Sequence, residues 1–106
     1  MDKIEAIKIA EKYLDFVSDK FAIQNAILFG SFAKGNFNDD SDIDIAIVIK
    51  NSIDIFDTQV EMMKLRRKID LRIEPHPINI NEFNEKNPVV NEILKFGIKL
   101  NYKKAS

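Results

Sequence analysis

Two aspartates, Asp42 and Asp44, stand two residues apart at the start of a strongly apolar run. Side chains of an extended strand alternate between its two faces, so both carboxylates would lie on the same face. Like charges at this separation repel each other unless a cation lies between them. Mg²⁺ prefers oxygen ligands and completes its shell with water and substrate phosphates. The pair therefore predicts a metal and a polyphosphate at one site.

A glycine and a serine lie one short loop before the aspartates. Gly30 and Ser31 follow an apolar run that ends at Phe29, and Ser31 can begin a short helix that reaches Lys34. Glycine lets the backbone approach a phosphate closely. Ser31 adds a hydroxyl beside unsatisfied N–H groups, which attract anions. With Lys34, the only cation in the loop, these residues are the predicted nucleotide-binding set.

A third carboxylate can come from the run over 69–74, which alternates apolar and charged residues and predicts a strand. Its apolar members, Leu71 among them, are expected to face the core. Asp70 would then share the opposite face with Arg72 and Glu74. We predict Asp70 as the third carboxylate, because Glu74 directly precedes Pro75, where the strand should end. Three carboxylates can hold two metal ions roughly 3.5 to 4 Å apart for in-line phosphoryl displacement, and Asp70 could also help to deprotonate the acceptor hydroxyl.

The loop and the aspartate pair together resemble the signature of a known family. Gly30 and Ser31 are followed after ten residues by Asp42, Ile43 and Asp44. This spacing is similar to the GSx10DxD motif of nucleotidyltransferases related to DNA polymerase beta, in the minimal form called MNT. The phrase SDIDIAIV around the aspartates is especially similar. The motif with its helix and strand context is more specific than either dipeptide alone.

The resemblance implies a fold, an activity and site residues. It implies a polymerase-beta-like nucleotidyltransferase fold, in which Gly30 and Ser31 contact the triphosphate of ATP. It also implies that the aspartate pair binds Mg²⁺, with two ions expected, and that Asp70 matches the third carboxylate. One position departs from the pattern: many relatives carry arginine directly after the Gly-Ser pair, where this chain has Phe32.

The acceptor of the reaction is also implied by the resemblance. MNT proteins commonly act with a HEPN-domain ribonuclease toxin, as an antitoxin that transfers AMP from ATP to a tyrosine hydroxyl of the toxin. The resemblance thus implies a Mg²⁺-dependent protein adenylyltransferase of a toxin–antitoxin system, with a HEPN-domain toxin as partner. Two hypotheses remain open beside it. The chain could neutralise its partner by binding alone, which Phe32 favours, or it could transfer the nucleotide to a small-molecule hydroxyl.

Two other motifs can be compared with the same loop. A Walker A loop needs Lys and Ser or Thr after its second glycine, but Gly35 is followed by Asn36 and Phe37. A calcium loop needs glycine at its sixth position and Glu at its twelfth, and the alternating acids before Asp44 lack both. Both interpretations fail. A polar hairpin connection without a ligand is the remaining alternative.

Composition limits the type of protein. The 106 residues, of which 45% are hydrophobic, predict one folded domain. The resemblance implies that this is a single minimal nucleotidyltransferase domain over 1–106. A net charge of -1 argues against direct nucleic-acid binding. The chain has no cysteine, no signal-peptide pattern at its start and no apolar run long enough to span a bilayer. We therefore expect a cytoplasmic protein with no membrane contact.

The remaining pattern predicts an α/β fold with a mixed β-sheet packed with helices. We expect a helix over 2–20, a strand over 23–29, a short helix from Ser31, a strand over 43–49, a helix capped by Ser52 or Asp54 and ending near Lys68, a strand over 69–74, a helix from Pro88 that ends before Gly97, and a short edge strand over 98–102.

Some side chains outside the motif carry weaker predictions. Phe56, Val60 and Met63 are expected to face inward from the third helix, and Phe32 and Phe37 to pack beneath the loop. His76, the only histidine, lies between prolines and is predicted to be a rigid loop residue. The basic end of the third helix is expected to be solvated and to suit the helix dipole, with a phosphate or partner contact as the alternative. It consists of Lys64, Arg66, Arg67 and Lys68.

Overall fold

Within the described part of the chain, a four-stranded sheet and four helices form the fold. The computed structural model describes residues 1–50 and 54–103. Its elements are α1 (Lys3–Val17), β1 (Ile23–Phe29), α2 (Ser31–Lys34), β2 (Ile43–Ile49), α3 (Ile55–Leu65), a 3-10 turn (Arg66–Lys68), β3 (Ile73–Asn79), a second 3-10 turn (Ile80–Glu82), α4 (Pro88–Phe96) and β4 (Ile98–Lys99). The strand order is β3-β2-β1-β4. Since β2 and β3 are parallel and the other pairs antiparallel, the predicted mixed sheet is confirmed.

The strand β2 is covered on both of its faces. Ile43, Ile45 and Ile47 belong to the main core, together with residues of α1 and α3. Ala46, on the other face, lies in a second cluster that includes Val90 of α4. A strand buried on both sides needs an almost continuous apolar sequence, which is the pattern that predicted it. Each of these isoleucines is fully buried, and such burial contributes roughly 1.5–3 kcal/mol.

The first helix is shorter than predicted. Asp2 caps it by accepting a hydrogen bond of 2.8 Å from the backbone N–H of Glu5, and α1 ends at Val17 rather than near residue 20. Ile4 was expected on the apolar face but is 65% exposed, because the buried face of α1 runs through Ala6, Ala10 and Val17 and Ile4 lies on another side of the helix. The buried Tyr13 connects α1 to α3 by donating a 2.7 Å hydrogen bond to the carbonyl of Met62.

The third helix buries a different face from the one predicted. Asp54 caps α3, as expected, by accepting from the N–H of Asp57 at 3.1 Å. The alternative cap, Ser52, lies outside the described residues. The prediction that Phe56 and Val60 face inward is wrong: they are 68% and 38% exposed, and Met63 is only partly buried. The face that packs on the core contains Ile55, Met62 and Leu65, which share one side of a helix.

The third strand begins four residues later than predicted. The run over 69–72 forms a turn, Leu71 is 65% exposed rather than buried, and β3 covers Ile73–Asn79. Both Pro75 and Pro77 therefore lie within the strand instead of ending it. The strand lies at the edge of the sheet, where a missing N–H leaves no partner strand unpaired.

The outward edge of β3 is covered by side chains. Arg66 Nη1 donates to the carbonyl of Ile73 at 2.9 Å, and Gln59 Nε2 donates to the carbonyl of Pro75 at 3.2 Å. Residues two apart direct their backbone groups to the same side of a parallel strand, so the imide nitrogens of Pro75 and Pro77 also face outward. This direction explains how a strand can contain two prolines.

The last helix and strand largely follow the prediction. Pro88 is the first residue of α4, and Asn87 caps the helix by accepting from the N–H of Val89 at 3.0 Å. The helix ends before Gly97, as expected. The edge strand β4 is shorter than predicted and pairs with β1 through Ile98 and Lys99. Within the described residues, no helix combines the length and the apolar character needed to cross a membrane.

Candidate active site

The turn at Gly30 lies directly against Asp44. Gly30 follows β1 with φ +74° and ψ -154°, a conformation that only glycine adopts without strain. A Cβ atom at this position would be 3.2 Å from Asp44 Cγ and would overlap Oδ2. The neighbouring residue Phe29 pairs with Asp44 across the antiparallel strands. The structure thus brings the predicted nucleotide-binding turn and the predicted metal-binding strand together.

The short helix α2 is anchored by an aromatic side chain. Phe32 is 1% exposed, and its ring stacks on Phe37 with 4.7 Å between the ring centroids. The prediction that these rings pack beneath the loop is therefore confirmed. Ser31, the first residue of α2, is partly exposed, and its carbonyl accepts a 2.9 Å hydrogen bond from the N–H of Gly35. Burial of Phe32 fixes how α2 presents Ser31 beside Gly30.

The predicted phosphate-binding cation already has a partner in the structure. Lys34 forms an ion pair with Glu92 of α4, and its Nζ lies 5.3 Å from the centroid of the Phe96 ring. Both contacts direct the ammonium group towards α4. The pair is partly exposed, so its contribution to stability is small, at most about 1 kcal/mol.

The two aspartates differ in their exposure. Asp42 lies immediately before β2 and is exposed, whereas Asp44 is the second residue of β2 and its side chain is 25% exposed. Among the residues that the structure describes, no group of three acidic, histidine or cysteine side chains is arranged to hold a metal ion. Two carboxylates open to solvent still fit Mg²⁺, which commonly takes one or two protein ligands and fills its other positions with water and phosphates.

Asp70 does not lie on a strand, contrary to the prediction. It is in the turn before β3, where its carboxylate accepts hydrogen bonds from the backbone N–H, Nε and Nη2 of Arg72 at 2.9, 2.9 and 2.7 Å. The Arg72 guanidinium holds the pKa of the Asp70 carboxyl below its usual value of 3.8. Arg72, which was predicted to lie on the same strand face as Asp70, thus binds the Asp70 carboxylate directly.

Glu74 occupies the position that was expected for Asp70. In the parallel pairing of β2 with β3, Glu74 is the register partner of Asp44, so their side chains leave the same face of the sheet. Its Oε1 atom is 3.3 Å from Arg66 Nη1. The sequence favoured Asp70 because Pro75 was expected to end the strand, and the edge position of β3 removes that reason.

His76 is a strand residue at the site rather than the predicted loop residue. Its Nε2 atom is 3.0 Å from Asp44 Oδ1, and its ring packs edge-on against Phe29 at 5.0 Å. Sequence analysis missed this contact because His76 lies between two prolines. The signal that could have found it is the alternation of Glu74, His76 and Ile78, which continues the strand through those prolines.

Comparisons with known proteins identify the family to which this chain is related. A family model described as "Polymerase beta, Nucleotidyltransferase" matches residues 11–105. The "Putative protein adenylyltransferase MJ0141" of Methanocaldococcus jannaschii is 28% identical over 102 residues, which are 94% of this chain and 100% of that protein.

Solved structures show the same fold. The crystal structure of a "putative nucleotidyltransferase" from Sulfolobus solfataricus has a TM-score of 0.66 and 25% identity, covering 92% of this chain and 80% of that one. A structure described as "the toxin-antitoxin with AMP-PNP" has a TM-score of 0.62 and 23% identity, covering 92% and 73%. Because the family model covers most of the chain, the chain belongs to the polymerase beta nucleotidyltransferase family.

Proposed function

We propose that this chain is a Mg²⁺-dependent protein adenylyltransferase that transfers AMP from ATP to a tyrosine hydroxyl of a HEPN-domain ribonuclease toxin and so acts as an antitoxin. The contact between Gly30 and Asp44 carries the proposal, since it joins a phosphate-binding turn to a metal-binding strand. The name of the M. jannaschii relative and the toxin-antitoxin structure with AMP-PNP support a protein acceptor. The use of ATP agrees with the predicted cytoplasmic location.

The residues of the site have distinct roles in this reaction. Asp42 and Asp44 would hold Mg²⁺, which when bound neutralises charge on the triphosphate. Gly30 and Ser31 position the phosphates through the backbone and a hydroxyl. The acceptor oxygen forms a bond to the α-phosphorus, the bond to the bridging oxygen breaks, and pyrophosphate leaves. The protein contributes positioning and charge stabilisation rather than covalent chemistry.

The third carboxylate, which would accept the hydroxyl proton, has two candidates. The register between β2 and β3 favours Glu74, whose side chain leaves the same face as Asp44. Asp70, the residue that the sequence predicts, has its carboxylate bound by Arg72. We therefore propose Glu74 as the third carboxylate and keep Asp70 as the alternative to be tested by substitution.

Label transfer tests the proposal directly. The purified chain is incubated with α-labelled ATP, Mg²⁺ and the protein that is co-encoded with it, and the partner is then examined for label on tyrosine. The variant D42N/D44N should lose transfer by at least about 10²-fold, as expected when groups aimed at developing charge are removed. The matched control is D39N/D40N, which removes two exposed carboxylates from the same loop. An unlabelled partner, or equal loss in both variants, would contradict the proposal.

A second candidate function is neutralisation by binding alone. The ion pair between Lys34 and Glu92 favours it, because this pair engages the only cation in the loop. It predicts that D42N/D44N still protects cells that express the partner, although no label is transferred. Loss of protection in this variant, with the complex intact, would exclude the binding function and leave the transferase function standing.

A further inference from the structure

A groove lies beside the C-terminal half of α3, and its lining includes Glu74, the proposed third carboxylate. Its volume is about 330 Å³, and its lining combines the apolar side chains of Val60 and Met63 with the cations Lys64, Arg66 and Arg67. Because Glu74 is the register partner of Asp44, the groove reaches the strand position next to that carboxylate.

The charges in the groove are only partly balanced. Arg66 contacts Glu74 at 3.3 Å and also donates to the Ile73 carbonyl, so it is engaged within the chain. Lys64 and Arg67 form no ion pair among the residues that the structure describes. Two uncompensated cations beside a catalytic carboxylate attract an anionic ligand, and steer it more strongly at low ionic strength.

The apolar part of the surface indicates which kind of anion fits. Phe56, Val60 and Met63 recur at spacings of three and four residues, so they share one side of α3, and Arg67 follows in the 3-10 turn after the helix. Phe56 is 68% exposed and Val60 is 38% exposed, although both were expected in the core. An apolar stripe that ends in cations matches a peptide with apolar and acidic side chains better than it matches a phosphate backbone, which offers charge without apolar groups.

The backbone edge of β3 restricts how such a peptide can bind. Side chains of Gln59 and Arg66 already donate to the outward carbonyls of Pro75 and Ile73. The two prolines of β3 supply no N–H at that edge. An added strand would therefore find no N–H donor at Pro75 or Pro77, and carbonyls at Ile73 and Pro75 that already accept a side chain. Recognition in this groove must come from side-chain contacts.

We propose that this groove binds an acidic segment of the acceptor protein and thereby positions the acceptor hydroxyl beside Glu74 and Asp44. The proposal rests on the proposed function, in that it assumes a protein acceptor. Lys64 and Arg67 bind the carboxylates of the segment, and the exposed side of α3 covers its apolar side chains. Both cations are acceptor-binding residues, and neither contacts the nucleotide.

Defined peptides test the groove without knowledge of the natural partner. One fluorescein-labelled peptide combines Asp, Glu and Leu around a single tyrosine, and a second has Lys in place of the acids. Binding to the full chain is followed by anisotropy with Mg²⁺ and AMP-PNP present. We expect the acidic peptide to bind and the Lys-containing peptide not to bind. The K64E/R67E variant should bind the acidic peptide about tenfold more weakly, or weaker still, than the wild type. The matched control is K8E/K12E, two exposed lysines of α1, which should bind the peptide like the wild type.

Other outcomes separate the groove from the proposed function. Equal binding of the acidic peptide by K64E/R67E and the wild type would overturn the groove, as would tighter binding of a single-stranded RNA of similar length. With the co-encoded partner, K64E/R67E should raise KM for the partner and leave KM for ATP unchanged. Normal AMP transfer by this variant would overturn the proposal for the groove and leave the proposed function standing. Peptide binding that depends on these cations, in a chain that transfers no AMP, would overturn only the proposed function.

Discussion

The backbone of Gly30 lies so close to the carboxylate of Asp44 that a methyl group between them would overlap Oδ2. Gly30 belongs to the turn after β1 and Asp44 belongs to β2, so the contact fixes the distance between this turn and this strand. The proposed phosphate-binding turn and the proposed metal-binding strand are therefore structurally coupled at this point. A substitution at Gly30 should therefore disturb both the turn and the Asp44 carboxylate.

Substitution of Gly30 by alanine should reduce both stability and transfer. The positive φ of +74° costs an L-residue about 1–2 kcal/mol, and the overlap must also displace the Asp44 carboxylate. The control is G35A, because Gly35 has a similar φ of +87° but nothing within 4 Å of a new Cβ. In urea unfolding both variants should lose stability, whereas only G30A should lose most of its AMP transfer. Equal transfer by the two variants would refute the coupling.

The roles of Glu74 and Asp70 can be distinguished by replacing each carboxylate with the amide of the same shape. We expect E74Q to lower the rate of AMP transfer by about 10²-fold or more, in the range of general acid–base catalysis, because Glu74 is the register partner of Asp44. D70N should weaken the contact with Arg72 and leave transfer close to that of the wild type. The rates are compared at saturating ATP, after circular dichroism has shown that both variants fold. The reverse order of rates would restore Asp70 as the third carboxylate.

His76 should orient the Asp44 carboxylate. Its Nε2 atom is 3.0 Å from Asp44 Oδ1, so H76A should weaken Mn²⁺ binding in the presence of AMP-PNP by about 10- to 100-fold, as is typical when a group that orients a metal ligand is lost. H76Q keeps a donor in a similar place and should recover part of the loss. Calorimetry with Mn²⁺ measures this effect separately from turnover. If both variants lose thermal stability but bind Mn²⁺ normally, the result would show that His76 packs against Phe29 and does not orient the carboxylate.

The ion pair between Lys34 and Glu92 should compete with the nucleotide for the ammonium group. Releasing Lys34 by E92Q should tighten ATP binding a few-fold, and K34A should weaken it. Either change should alter stability by less than about 1 kcal/mol, because the pair is partly exposed. A fluorescent ATP analogue measures the affinity, and K95A on α4 serves as a control for loss of positive charge. Unchanged affinity in K34A would show that Lys34 only joins α2 to α4.

Tyr13 should make stability depend on alkaline pH. Burial raises the pKa of Tyr13 above its usual 10.0, and its hydroxyl donates to the Met62 carbonyl. A raised pKa in the folded state stabilises the fold below pH 10, and this contribution is lost as the pH rises further. Y13F should cost about 0.5–1.5 kcal/mol at neutral pH, since it removes one buried hydrogen bond while the Met62 carbonyl keeps the backbone N–H of Arg66. Urea titrations should show that the difference in the free energy of unfolding between the wild type and Y13F becomes smaller above pH 10. A difference that does not change with pH would contradict the contribution of the raised Tyr13 pKa.

Local sequence signals were sufficient for the first half of the site. The bounds of β1, α2 and β2 agree with the prediction, because apolar runs separated by a Gly-Ser turn leave little choice of element. The placement of Gly30 and Ser31 at the turn and of Asp42 and Asp44 at the start of β2 followed from these bounds. The packing of Phe32 beneath the loop was also predicted, and its ring is buried.

The second half depended on contacts between distant parts of the chain. Whether Asp70 or Glu74 lies beside Asp44 is decided by the parallel register of β2 and β3, which no local pattern encodes. The prolines looked like strand breakers until the edge position of β3 made their missing N–H groups harmless.

The sequence by itself thus determined which residues could bind phosphate and metal, because their spacing along one loop and one strand is a local property. Only the tertiary structure decided which further residues join them. It paired His76 with Asp44, turned Lys34 towards Glu92 and left Phe56 exposed on α3. The physical reason is that strand register and the buried face of a helix are chosen by packing across the whole core.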